Sequence, residues 1–178
     1  RLAKKNLLRE HICLMSPAVS AQDDRRFAGH MLANIIGDST GSRYFWELVD
    51  KALAETATME LGAMDGTGEF HSYISCSREN AEKVIETVDR IFADIGEDGV
   101  SNEELERAKN KVLSLVAIKN EIPMGRLMDL GLNWLYLGKY RPVEEDVEAI
   151  KAVTKQDVEE LFAELTPGNY TRYSIGPE

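Results

Sequence analysis

Apolar and polar positions along the chain change rhythm several times, and each change marks an element. "NLLREHICLMS" alternates at close to period two, which predicts a strand over Asn6–Met15, ended by Pro17. In "QDDRRFAGHMLANIIG" the residues Phe27, Met31, Leu32, Ile35 and Ile36 fall on one helical face. Gly37 makes a natural stop there, and Asp23 and Asp24 fall at the positive end of the helix dipole. A run of small residues from Gly37 to Ser42 follows. Ser42 then suits the N-cap of a second helix, Arg43–Leu53, with Phe45, Leu48, Val49 and Ala52 toward the core and Tyr44, Glu47 and Lys51 off that side. "ETATMELGAM" and "GEFHSYISCS" alternate again around Asp65, Gly66, Thr67 and Gly68, which reads as a hairpin.

The second half is mostly helical. "ENAEKVIETVDRIFADI" repeats its apolar residues every three or four positions. "SNEELERAKNKVLSLVAI" begins with a capping box, Ser101 and Glu104, and Pro123 suits the first turn of "PMGRLMDLGLNWLYLG". Two shorter helices are predicted over Val143–Lys151 and Lys155–Leu165, the latter capped by Thr154, and "NYTRYSIG" reads as a last strand. The order β-α-α-β-β-α, a helical stretch, then β predicts a single α+β domain over residues 1–178. Its expected form is a two-layer sandwich, a mixed or antiparallel sheet with helices packed on one face.

Composition narrows the classes of function. Hydrophobic residues make up 43% and charged residues 29%, so the chain can build a core and is not a disordered tail. The formal charge of −10 disfavours nucleic acid and anionic membranes, which both need a basic footprint. Two cysteines, Cys13 and Cys76, are too few for a disulfide framework. No apolar run approaches the ~20 residues of a membrane span, so the reading is a soluble protein, cytoplasmic or periplasmic. The chain opens without a methionine, mid-phrase, as a fragment of a longer protein would.

Self-contained chemistry is sparse. His11 and Cys13 lie two apart on a strand and share a face, but a zinc site wants three or four converging ligands. His30 sits in the apolar face of its helix, as a packing residue does. "GDSTGS" precedes a helix N-terminus, yet lacks both the P-loop lysine and the nucleophile elbow of the hydrolases. The residues themselves yield no catalytic group and no metal site in this chain.

The order of phrases carries more. "NIIGDSTGSRYFWELVDKALA", "SNEELERAKNKVL", "GLNWLYLGKYRPVEEDVEAI" and "AIKAVTKQDVEEL" resemble, in sequence, the C-terminal half of the pitrilysin/insulinase-type zinc peptidases, a group that includes mitochondrial processing peptidase. The resemblance runs from about Glu10 to the C-terminus. It implies an α+β half that closes with a homologous N-terminal half over an unfolded peptide substrate. Zinc would be bound by the His-x-x-Glu-His motif of that N-terminal half, on the same gene or on a partner subunit, and not by this chain. It further implies peptide positioning at the small-residue loop, through Gly37, Gly41, Ser42 and Arg43, and a possible homo- or heterodimer. Active members carry an arginine and a tyrosine that help stabilise the attacked carbonyl, and Val49 and Thr56 stand at those positions here. That departure sets up the alternative, a catalytically inactive homologue acting as a structural or assembly subunit.

Overall fold

The computed structural model describes all residues, Arg1–Glu178. Five strands form one sheet: β1 (Leu2–Ala3), β2 (Glu10–Ala18), β3 (Thr56–Met64), β4 (Thr67–Cys76) and β5 (Thr171–Gly176), in the order β1-β5-β2-β4-β3. β2 runs antiparallel between β4 and β5, β3 is antiparallel to β4, and β1 is parallel to β5, so the sheet is mixed. Strand alternation sends Ile12, Leu14, Ala57, Met59, Leu61, Phe70 and Ile74 to one face, where all are buried. Two helices cover that face. α1 (Arg26–Gly37) lies along β3, and α2 (Ala81–Asp98) brings Phe92 to Leu14, Phe70 and Tyr170.

Behind this layer stand α3 (Asn102–Glu121), α5 (Val143–Ala152) and α6 (Lys155–Leu165), while α4 (Pro123–Leu137) packs on α3. The helices thus keep to one side and the other face of the sheet is open, the α+β arrangement the element order predicts. The capping boxes at Ser101/Glu104 and Thr154/Asp157 both form, and Pro123 stands in the first turn of α4.

Three local expectations need correction. The first long strand begins at Glu10, because Asn6 takes a left-handed φ of 74° in a turn. Pro17 does not end it. β5 has stopped at Thr171 opposite Met15, so beyond that point β2 has a neighbour on one side only, where a residue without an N–H is tolerated.

The helix expected over Arg43–Leu53 starts as predicted at Arg43 but widens into a π-helical turn over Phe45–Val49 and stops there. Asp50 N–H donates to Phe45 O at 2.8 Å, Leu53 N–H to Leu48 O at 2.8 Å, and Ala52 breaks the run at φ 55°. The wider turn changes which side chains face inward. Tyr44 and Leu48 are fully buried, Phe45 and Val49 half-buried, and Ala52 exposed. Tyr44, placed off the core by an α-helical wheel, is therefore the anchor, its hydroxyl 3.1 Å from Ser72 Oγ on β4. Burial, the dominant influence, holds its phenol well above the ordinary range. Replacing Tyr44 with Phe should cost about 1 kcal/mol in urea denaturation, since Ser72 loses its buried partner. An unchanged midpoint would show that this bond contributes nothing.

Candidate functional site

The loop singled out in the sequence closes the C-terminus of α1 against its neighbours. A Cβ at Gly37 would lie 2.2 Å from Met59 N, so glycine is what lets α1 touch the backbone of β3. Gly41 holds φ 76°, turning the chain toward the π-turn. Ser42 is buried; its Oγ donates to Asp38 O at 2.6 Å and accepts from Phe45 N–H at 3.1 Å, an N-cap as expected. Arg43 lies across to α3. Its Nε donates to Glu104 Oε1 at 2.8 Å and its Nη2 to Glu104 Oε2 at 3.2 Å and to Gly99 O at 2.9 Å. Lys111, also on α3, pairs with Asp38 and donates to Thr40 Oγ1. The loop is thus pinned from within the chain, Gly37 against Met59, Ser42 on Asp38 and Phe45, and Arg43 on Glu104 and Gly99.

Val49 and Thr56 flank the same region. Val49 ends the π-turn, half-buried and without a donor, and Thr56 opens β3 opposite Ser75 with its side chain exposed. A short hydroxyl and an isopropyl group there cannot supply the pair of fixed donors that an oxyanion needs.

The sequence reading passed over the open face of the sheet. In register across it stand Tyr173, Cys13, Tyr73 and Thr58, and in the next row Thr171, Met15, His71 and Glu60. Met15, Tyr73 and Tyr173 are 43%, 42% and 51% exposed, a band of large side chains left uncovered on this side. His11 Nδ1 and Tyr73 Oη are 2.8 Å apart, fixing one edge of the band. His71 stands between Glu69 and Glu60, at 3.7 and 3.8 Å. The signal was in the chain: the outward positions of β2 include Cys13 and Met15, where a strand with one face in water would carry polar residues.

These residues do not fit zinc. No group of three or more His, Cys, Asp or Glu side chains is arranged to hold a metal ion, and His11 and Cys13 share their face without a third ligand. Cys76 is no nucleophile either: burial, then Glu10 and Glu55, push its thiol up to about 11.

A second uncovered surface lies at the far side of the helical layer. α4 buries none of its residues. Tyr136 and Leu137 turn inward and, with the partly exposed Leu132, line a cavity, while Met124, Leu127, Met128 and Leu135, spaced i, i+3, i+4 and i+11, form an outward stripe with Gly131 between them. Leu115, Ile118 and Ile122 extend the exposed apolar surface along α3 and into the α3–α4 connection.

Comparison with known proteins gives this architecture a family. Residues 1–112 match the family described as Peptidase M16 inactive domain. The chain is 25% identical over 175 residues to an uncharacterized zinc protease, YmxG, of Bacillus subtilis, covering 98% of this chain and 43% of that protein. It is 24% identical over 177 residues to an uncharacterized zinc protease of Mycobacterium leprae, covering 99% of this chain and 40% of the relative. The chain therefore spans less than half the length of these relatives. Among solved structures, a protease from Helicobacter pylori superposes with a TM-score of 0.86 at 16% identity, over 99% of this chain and 43% of that one. The peptidase M16 inactive domain from Pseudomonas fluorescens gives 0.85 at 19% identity, over 99% and 43%. With the family match covering more than half its residues and the fold in agreement, the chain belongs to the peptidase M16 inactive-domain family, the C-terminal, non-catalytic domain of M16 zinc proteases.

Proposed function

We propose that this chain is the half of a zinc-dependent peptidase that holds no metal, and that it encloses an unfolded peptide and positions it for a zinc site on an N-terminal half. The observation that carries this reading is the open sheet face. Its band of Met15, Tyr73 and Tyr173 sets three large, partly exposed side chains side by side, and no helix of this chain covers it. Tyrosines suit an unfolded peptide of varied sequence, because each offers apolar area and a hydroxyl that can donate or accept.

The other half would seat on the outward stripe of α4, which fits an apolar partner surface of the same protein better than water. Zinc, as the names of the relatives suggest, would be held there and would supply the activated water. The role of Gly37, Gly41, Ser42 and Arg43 in this scheme is indirect: they fix the π-turn and the start of β3, and the sheet presents the peptide.

The test uses the full-length protein with a quenched unfolded peptide. Cleavage that stops on chelation and returns with zinc is expected, and Tyr73→Ala with Tyr173→Ala should raise KM while leaving zinc content unchanged. Bound zinc without cleavage of any unfolded peptide would instead favour a catalytically silent assembly subunit, the reading that Val49 and Thr56 support.

A further inference from the structure

Arg26 has only weak partners for a charge so little exposed, a long ion pair with Asp24 and the face of the Phe27 ring, whose centre lies 4.4 Å from Cζ. Its side chain is only 11% exposed, and its nearest carboxylate, Asp24, stands 3.6 Å away with its own side chain almost wholly in solvent. Nη1 donates to Asp23 O at 3.2 Å; Nε and Nη2 make no hydrogen bond within the chain. The Asp146 carboxylate is already held by Arg141 Nε at 2.5 Å, and Asp129 by Lys119. Burial and then the nearby Arg141 push the Arg26 guanidinium down from its ordinary value, as expected of a cation short of counter-charge. One turn further along α1, His30 also makes no hydrogen bond within the chain. Burial, then Arg26 and Lys119, lower its imidazole to about 4.

Both side chains line a cavity of about 370 Å³ between α1, α3, α4 and α5. Its remaining walls are mainly apolar: Val112 and Val116 from α3, Leu132 and Leu137 from α4, Ile150 from α5. A volume of this size, apolar with a few convergent polar groups, is the usual form of a small-ligand site. Asp129 and Asp146 also line it, but each is paired with a cation, so the charge left on the wall is that of Arg26.

We propose that this cavity binds a carboxylate bearing an apolar chain, the carboxylate between the Arg26 guanidinium and the His30 imidazole and the chain along Val116, Leu132 and Ile150. The guanidinium offers two parallel donors to one carboxylate, and the anion cancels the unmatched charge. The site lies on the helical side, away from the open sheet face, so it is independent of peptide positioning. Either a free alkanoate or the C-terminus of a peptide ending in an apolar residue has this chemistry.

Calorimetric titration of the full-length protein with octanoate tests it. Octanoate should bind with a Kd below about 1 mM, and octylammonium and octanol roughly tenfold more weakly or not at all. Arg26→Met should lose roughly tenfold in octanoate affinity, and Val116→Phe, which fills the cavity without touching a charge, should abolish binding with the far-UV circular dichroism unchanged. His30 faces Arg26 from its own helix, Lys119 from α3, Asp129 from α4 and Asp146 from α5, and a bound anion tips that balance toward the imidazolium. Binding should therefore take up a proton, read as different heats in phosphate and Tris, and tighten from pH 8 to pH 6. A leucine-terminated tripeptide as free acid and as amide separates the two sources: stronger binding of the acid than of octanoate assigns a peptide terminus, the reverse a free alkanoate. Equal binding of octanoate and octylammonium, undiminished binding to Arg26→Met, or no octanoate binding would overturn the proposal.

Discussion

Replacing Gly37 with alanine is expected to destabilise the chain by about 3 kcal/mol, the upper range for forcing atoms into a filled core. The methyl group would fall 2.2 Å from Met59 N and 2.4 Å from Met59 Cβ, and the first of these is backbone in a central stretch of β3. No rotamer change relieves a clash with main chain. Either the end of α1 moves off the sheet, opening the contact that buries Ile35, Ile36 and Met59, or β3 shifts in its ladder with β4. Gly131 provides the opposite case. It lies inside α4 with nothing near the place a Cβ would take, so Gly131→Ala should stabilise by up to about 1 kcal/mol through helix propensity alone. Urea midpoints of the two variants, measured by circular dichroism, should move in opposite directions. A small loss at Gly37, within about 0.5 kcal/mol, would mean that α1 docks more loosely than the geometry states.

What the sequence disclosed and what it hid follow the same divide between local and non-local cause. Lys155–Leu165 could be placed residue for residue because its determinants are adjacent: Thr154 caps, Asp157 answers it, and the apolar rhythm runs unbroken. The Arg43–Leu53 segment has equally good helical residues, yet after Tyr44 it widens into a π-turn and stops at Val49. Burial of Tyr44 against Ser72, 28 positions away, selects a wider turn that no local pattern encodes. The two-residue β1 exists only because β5 lies beside it. The candidate site divides in the same way. The loop residues were conspicuous for their smallness, but that Gly37 meets Met59 and Arg43 meets Glu104 depends on elements far along the chain. The open face was legible in part, in Cys13 and Met15 at the outward positions of β2. Its membership was not, since Cys13, Tyr73 and Tyr173 become neighbours only once the register is known.

Glu104→Ala is expected to cost about 3 kcal/mol, because it removes the only carboxylate paired with Arg43 and leaves that cation mostly buried. The same carboxylate also accepts from Ser101 N–H at 2.7 Å, so the first turn of α3 loses half its capping box at once. Glu104→Gln should cost less, since an amide oxygen still accepts one bond. Acidity separates the ionic part from the packing. Burial alone would raise the Glu104 carboxyl, but the hydrogen bonds from Arg43 and from Ser101 N–H outweigh it and hold it below its ordinary value of 4.5. A depressed folded-state value adds stability that is complete above the unfolded value and disappears as pH falls through the folded one. The gap between the native chain and Glu104→Gln should therefore be constant from pH 7 to about pH 5 and narrow below it. The buried Glu10, lowered by its hydrogen bond with Arg1, has the same sign, so the glutamine variant keeps some acid sensitivity of its own. Urea midpoints of both chains at pH 7, 5 and 3 read this directly. A gap that stays the same down to pH 3 would place the Arg43–Glu104 contact among ordinary surface pairs, and with it would go the claim that Arg43 serves to hold the loop rather than to bind a peptide.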